Sequence, residues 1–128
     1  MAQLTFEGTV YSGSGAGKHF VNLPWVRRQI QEKLGFTPYS GTLNLRLTGE
    51  NEKKRRLLDA AQGLAVKPEA GYCPGALFKA TIDGLECAVV IPKVPNYPAD
   101  ILEIIAPLYL RGNLGLTDSS TVAVMVTF

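Results

Sequence analysis

Three places in the chain hold residue types whose spacing could support chemistry. The first is SGSGAGK, residues 12–18, with glycine at 13, 15 and 17 followed by Lys18 and His19. Glycine reaches positive φ and lets a ligand approach the backbone closely. The stretch therefore offers amide N–H groups and a cation together, which is what phosphate oxygens require. A Walker A loop would place glycine at 12 and Ser or Thr at 19, where Ser12 and His19 stand. By composition alone a plain flexible turn is the simpler reading. The second place is the pair Thr42 and Asn44, directly after Gly41. On a strand, period two puts both side chains on one face. Two neutral oxygens could hold magnesium only together with water and an anion, so such a site would bind metal along with a phosphorylated ligand. By pattern alone they are two polar residues on a wet strand face. The third is Glu103, set among Ile101, Leu102, Ile104 and Ile105. A carboxylate in an apolar pocket can serve as a base or hold a hydroxyl. Wound as a helix, however, the segment puts Glu103 with Asp100 and Pro107, away from the isoleucine stripe.

The elements that must position these residues are legible in part. Residues 4–11 alternate as a strand, with Leu4, Phe6 and Val10 on one side. Pro24 opens a helix that runs to about Leu34 and stops at Gly35. Residues 42–48, TLNLRLT, alternate without a fault and place Leu43, Leu45 and Leu47 toward a core. A second helix is expected over about 51–62, closed by Gly63, followed by a loop without periodicity. Its run Lys53, Lys54, Arg55, Arg56 covers most of the helix circumference, so the charges scatter over a solvated surface. Residues 76–82 and 85–92 form a hairpin across Asp83 and Gly84, a type I′ signal. Leu85, Cys87, Val89 and Ile91 share one face there, which makes Cys87 a small core residue rather than a reactive thiol. Residues 98–106 read as a short helix between Pro98 and Pro107, and 121–128 as a last strand.

The 128 residues suit one domain, 1–128, and 46% hydrophobic against 19% charged residues suffice for a core. Several short strands with few helices predict a mainly β protein, a small and partly closed barrel. The net charge of +2 is too weak to argue for a phosphate backbone as partner. No stretch reaches the roughly 18 apolar residues of a membrane span. Cys73, Cys87 and the single His19 make no zinc cluster. A soluble, unexported, cytoplasmic protein with reduced thiols is expected.

Four segments together resemble a known family: SGSGAGKHFVNLP (12–24), LGFTPYSGTLNLRL (34–47), the hairpin ending in VVIP (89–92), and ILEIIAPLYLR (101–111). They are similar to the archaeal-type CTP-dependent riboflavin kinases, and the likeness covers nearly the whole chain. The resemblance implies a six-stranded cradle-loop barrel that phosphorylates riboflavin to FMN. It implies that Gly13, Ser14, Gly15, Ala16, Gly17 and Lys18 wrap the nucleotide phosphates. Leu108, Tyr109, Leu110 and Arg111 would hold the rest of the cytidine nucleotide, Thr42 and Asn44 would ligate Mg2+, and Glu103 would contact the flavin and serve as the catalytic carboxylate. The chain departs from the family at Pro95, which stands where a flavin-contacting threonine is usual. Proline has neither hydroxyl nor N–H to offer, so a different acceptor alcohol stays open. The expected partners are CTP/CDP and riboflavin/FMN, with no nucleic acid and no membrane, in a monomer or weak homo-oligomer. The tail LGLTDSSTVAVMV also resembles swapped-hairpin transcription regulators, which leaves a non-catalytic nucleotide- or DNA-binding barrel as the rival class.

Overall fold

The computed structural model describes residues 2–13 and 16–128. In chain order its elements are β1 (Gln3–Tyr11), α1 (Ala16–Val21), α2 (Pro24–Leu34), β2 (Leu43–Arg46), α3 (Glu50–Ala60), β3 (Leu64–Val66), β4 (Gly75–Ile82), β5 (Leu85–Pro92), β6 (Ile101–Ile105), α4 (Leu110–Asn113) and β7 (Thr121–Thr127). Strands pair antiparallel in the order β3-β4-β5-β6-β2-β1-β7. A further pairing of β7 with β4, Ala80 opposite Val126, closes six of them into a barrel. The seventh, β3, sits beside the first half of β4, with Leu64 opposite Leu77 and Val66 opposite Gly75. One edge of β4 thus serves β3 at its start and β7 at its end.

The hairpin forms as its turn residues require: Asp83 and Gly84 both have positive φ, 49° and 78°, which matches the twist of the flanking strands. Helix α2 starts on Pro24 and ends where Gly35, at φ 80°, donates its N–H to the Gln31 carbonyl. Its buried side chains Trp25, Val26 and Ile30 join Phe20 and Val21 of α1 in an apolar layer outside the barrel, over Leu77, Ala88, Val90 and Ile105. The barrel interior is filled by Phe6, Val10, Leu45, Phe78, Val89, Ile104, Val124 and their neighbours. Strands β5 and β6 are therefore covered on both faces.

That double burial explains the main correction. Residues 101–105 form strand β6, between β5 and β2, and not the helix expected over 98–106. A strand buried on both sides shows no polar alternation, and three β-branched isoleucines in five residues suit a pleated surface better than a helix. Two short elements, β3 and α1, fall partly where loop was expected, and α4 lies in a stretch for which no element was expected. Among the basic residues of α3, Arg55 is another correction: it is 1% exposed, not solvated.

Cys87 lies inside the barrel wall, 1% exposed. Burial, assisted by the charge of Glu86, pushes its thiol up to about 12. Its thiolate is thus disfavoured in the folded chain, so this group's contribution to stability falls as pH rises from the ordinary value of 9.0 toward about 12. With a thiol reagent at pH 8 the native protein is expected to react at half-buried Cys73 alone, and Cys87 only after denaturation. Fast release of two equivalents from native protein would contradict this packing.

Candidate functional site

Strand β2 organises the site. Leu43 and Leu45 point into the barrel, so Thr42 and Asn44 lie on its outer face. Cross-strand register places Tyr11 of β1 and Glu103 of β6 on either side of Asn44, one row over three strands. Directly after β1 the chain folds over this row. A Cβ added to Gly13 would come within 2.7 Å of Asn44 Nδ2 and 2.9 Å of its Cγ. Glycine at 13 is what lets the loop backbone lie against the Asn44 amide. Gly13 of the glycine loop and Asn44, 31 residues apart in sequence, thus meet in space.

Glu103 is 5% exposed. Its Oε2 accepts a hydrogen bond from Thr42 Oγ1 at 3.2 Å, and its Oε1 accepts one from the Tyr97 hydroxyl. Burial, then the Glu103 charge and the hydrogen bond to it, push the Tyr97 phenol above its ordinary value. The Tyr11 phenol is also raised, by burial first and then by Glu103, with Arg46 opposing from 4.7 Å above its ring. Both phenols therefore stay protonated, and Tyr97 remains a donor. A hydroxyl has one hydrogen and two lone pairs. With its proton on Glu103, Thr42 has only lone pairs left for a ligand, as a hard cation requires. The neutral oxygens of Thr42 and Asn44 fit Mg2+ for this reason. Among the described residues no cluster of three His, Cys, Asp or Glu offers an alternative metal site.

Thr42 also opens onto a second group. Together with Tyr39, Gly41 and Leu43 it lines a small cleft whose far wall is Leu108, Tyr109, Leu110 and Arg111. The Tyr39 N–H donates to the Ala106 carbonyl at 2.7 Å, and the rings of Tyr39 and Tyr109 stack with centroids 5.1 Å apart. Both rings are exposed at the cleft rim. Leu110 is instead buried at 4% exposure, and its carbonyl accepts the Leu114 N–H at 2.9 Å. Arg111 pairs with Asp118, and Ser12, at the foot of the glycine loop, donates to the same carboxylate at 3.3 Å. Two segments expected around one nucleotide thus share an anchor.

Other expected site residues are placed less directly. Ser14 and Gly15 lie outside the described residues. Ala16, Gly17 and Lys18 belong to α1, so the loop is shorter than the sequence suggested and Lys18 projects, exposed, from a helix. Pro95 is exposed in the connection between β5 and β6. Tyr97, two residues on, was not anticipated, nor were Tyr39 and Asp118. Nothing periodic marks them, because each is significant only through a partner brought in by the fold.

No helix is long and apolar enough to cross a membrane among the described residues. A family model labelled CTP-dep_RFKase, described as domain of unknown function DUF120, matches residues 10–126. The chain is 44% identical over 127 residues to a riboflavin kinase of Archaeoglobus fulgidus, covering 96% of this chain and 54% of that one. A riboflavin kinase of Pyrobaculum aerophilum is 41% identical over 133 residues, covering 98% and 62%. One of Methanosarcina barkeri is 38% identical over 127 residues, covering 96% and 56%. The chain thus spans between half and two thirds of the length of these relatives. The matched span takes in β2, β6, the start of the glycine loop and the wall formed by residues 108–111, and on that ground the chain belongs to the CTP-dependent riboflavin kinase domain family.

Proposed function

We propose that this chain transfers the terminal phosphoryl group of CTP to the 5′-hydroxyl of riboflavin, giving FMN and CDP, with Mg2+ at Thr42 and Asn44. The observation that carries the reading is the convergence on one outer face of the barrel. The loop backbone at Gly13 lies on Asn44, Thr42 donates to Glu103, and the cleft bounded by residues 108–111 opens beside Thr42. The relatives' names, riboflavin kinase, support the acceptor; the family's label supports the donor.

Phosphoryl transfer asks mainly for alignment and charge neutralisation. When bound, the cation supplies positive charge to the phosphate oxygens. The chain's own residues do the rest. Amides of the glycine loop and Lys18 hold the phosphates, and Arg111, released from Asp118, adds a guanidinium. Glu103 accepts a hydrogen bond from the flavin's 5′-hydroxyl and takes its proton as the oxygen–phosphorus bond forms and the bond to the β-phosphate oxygen breaks. A buried carboxylate among Val90 and Ile105 excludes water from that proton transfer.

Purified protein with riboflavin, Mg2+ and CTP is expected to form FMN, with ATP a poor substitute and EDTA abolishing turnover. No FMN with any nucleotide would overturn the proposal. Pro95 favours one specific fallback: CTP binding with Mg2+ but no FMN would point to another small alcohol as acceptor.

A further inference from the structure

Tyr97 has no part in the assignments above, yet it makes a direct contact with Glu103. It arrives through a tight turn: its N–H donates to the Val94 carbonyl at 3.3 Å, and Asn96 takes φ 62°, in the left-handed region. Asn tolerates that conformation better than most residues. The turn brings the half-buried Tyr97 ring against the barrel core and its hydroxyl onto Glu103 Oε1. Thr42 occupies the other oxygen. A carboxylate held by a donor at each oxygen keeps its plane and its direction.

We propose that Tyr97 is a positioning residue for the cation site: by holding Glu103 Oε1 it fixes Oε2 where it accepts the Thr42 hydrogen bond, so that Thr42 Oγ1 presents lone pairs to the metal. This rests on the reading of Thr42 and Asn44 as Mg2+ ligands. The role differs from flavin contact by Glu103 and from nucleotide contact by residues 108–111. It also makes Glu103 serve two partners, the acceptor hydroxyl and the ligand threonine. Groups that orient a metal ligand commonly change metal affinity by about 10- to 100-fold when removed.

The test titrates Mg2+ into the full chain saturated with CDP and follows the melting temperature, which rises as ligand binds the native state. Tyr97→Phe keeps the ring and deletes the donor. It is expected to need about tenfold more Mg2+ for the half-maximal shift, with the shift produced by CDP alone unchanged. Glu103→Gln should show a similar loss, since an amide has one oxygen and cannot accept both hydroxyls on separate oxygens. The double variant should be no worse than Glu103→Gln, because Tyr97 acts through that carboxylate. A wild-type Mg2+ response in Tyr97→Phe, a parallel loss of metal-free CDP binding, or additive losses in the double variant would each overturn the inference. Should Tyr97→Phe not fold, an unchanged Mg2+ response in Glu103→Gln overturns it instead. A wild-type chain that ignores Mg2+ with CDP bound would overturn the cation reading itself, and this inference with it.

Discussion

Replacing Asn44 by alanine is expected to lower the rate of FMN formation by about 100-fold or more, equivalent to about 2.7 kcal/mol of transition-state stabilisation. The melting temperature should shift little, because Asn44 is half-exposed on the outer face and fills no part of the barrel core. The loss should be steepest at low Mg2+, since a missing oxygen ligand weakens cation binding before it affects anything else. Gly13→Ala supplies a companion. The backbone there is not in the left-handed region, so alanine meets no conformational penalty, but its Cβ would sit 2.7 Å from Asn44 Nδ2. That single methyl should displace the amide or lift the loop and reproduce much of the Asn44→Ala defect. Activity within about threefold of wild type in Asn44→Ala would remove the amide from the cation site.

The largest stability effect is expected at Arg55. Its guanidinium is buried beneath α3, with Nε donating to the Ile101 carbonyl at 3.0 Å and Nη1 to Asp59 at 2.6 Å. Arg55→Ala removes the packed stem as well as the donor to the first residue of β6. A lost partner for a poorly hydrated carbonyl and the cavity left behind together cost about 3 kcal/mol. For a chain of this length that corresponds to a fall of roughly 10 °C in melting temperature. Asp59→Ala leaves that buried guanidinium without its carboxylate, so it should also destabilise the fold, by about 3 kcal/mol. A melting temperature within about 2 °C of wild type in Arg55→Ala would remove this buried guanidinium from the determinants of stability. The tie to the Ile101 carbonyl also bears on the site: Ile101 opens the strand that holds Glu103, so Arg55→Ala should lower turnover below its melting point as well.

Neither residue could be valued from local pattern alone. Asn44 was one polar residue on an alternating strand, and only the family resemblance raised it to a ligand. The fold supplies the physical ground, by laying Gly13 on its amide and pairing it with Glu103. Arg55 was one of four consecutive cations on a helix whose charges spread around the axis. That reading holds for exposed Lys53 and Arg56 and fails for the position that faces β6.

By itself the sequence determined those elements whose signals are local or have one wet face. The TLNLRLT strand, the hairpin across Asp83 and Gly84, and the helix between Pro24 and Gly35 all carry their period or their turn chemistry within a few residues. Tertiary structure alone decided the rest. Strand β6 has no wet face to print an alternation, so its isoleucines read equally as helix or strand until β5 and β2 flank it. The Thr42–Glu103 bond spans 61 residues and the Tyr97–Glu103 bond depends on a turn at Asn96. The first follows from the register of β2 on β6, and no short window of sequence contains both of its partners; the second needs the β6 strand to aim Glu103 at the turn.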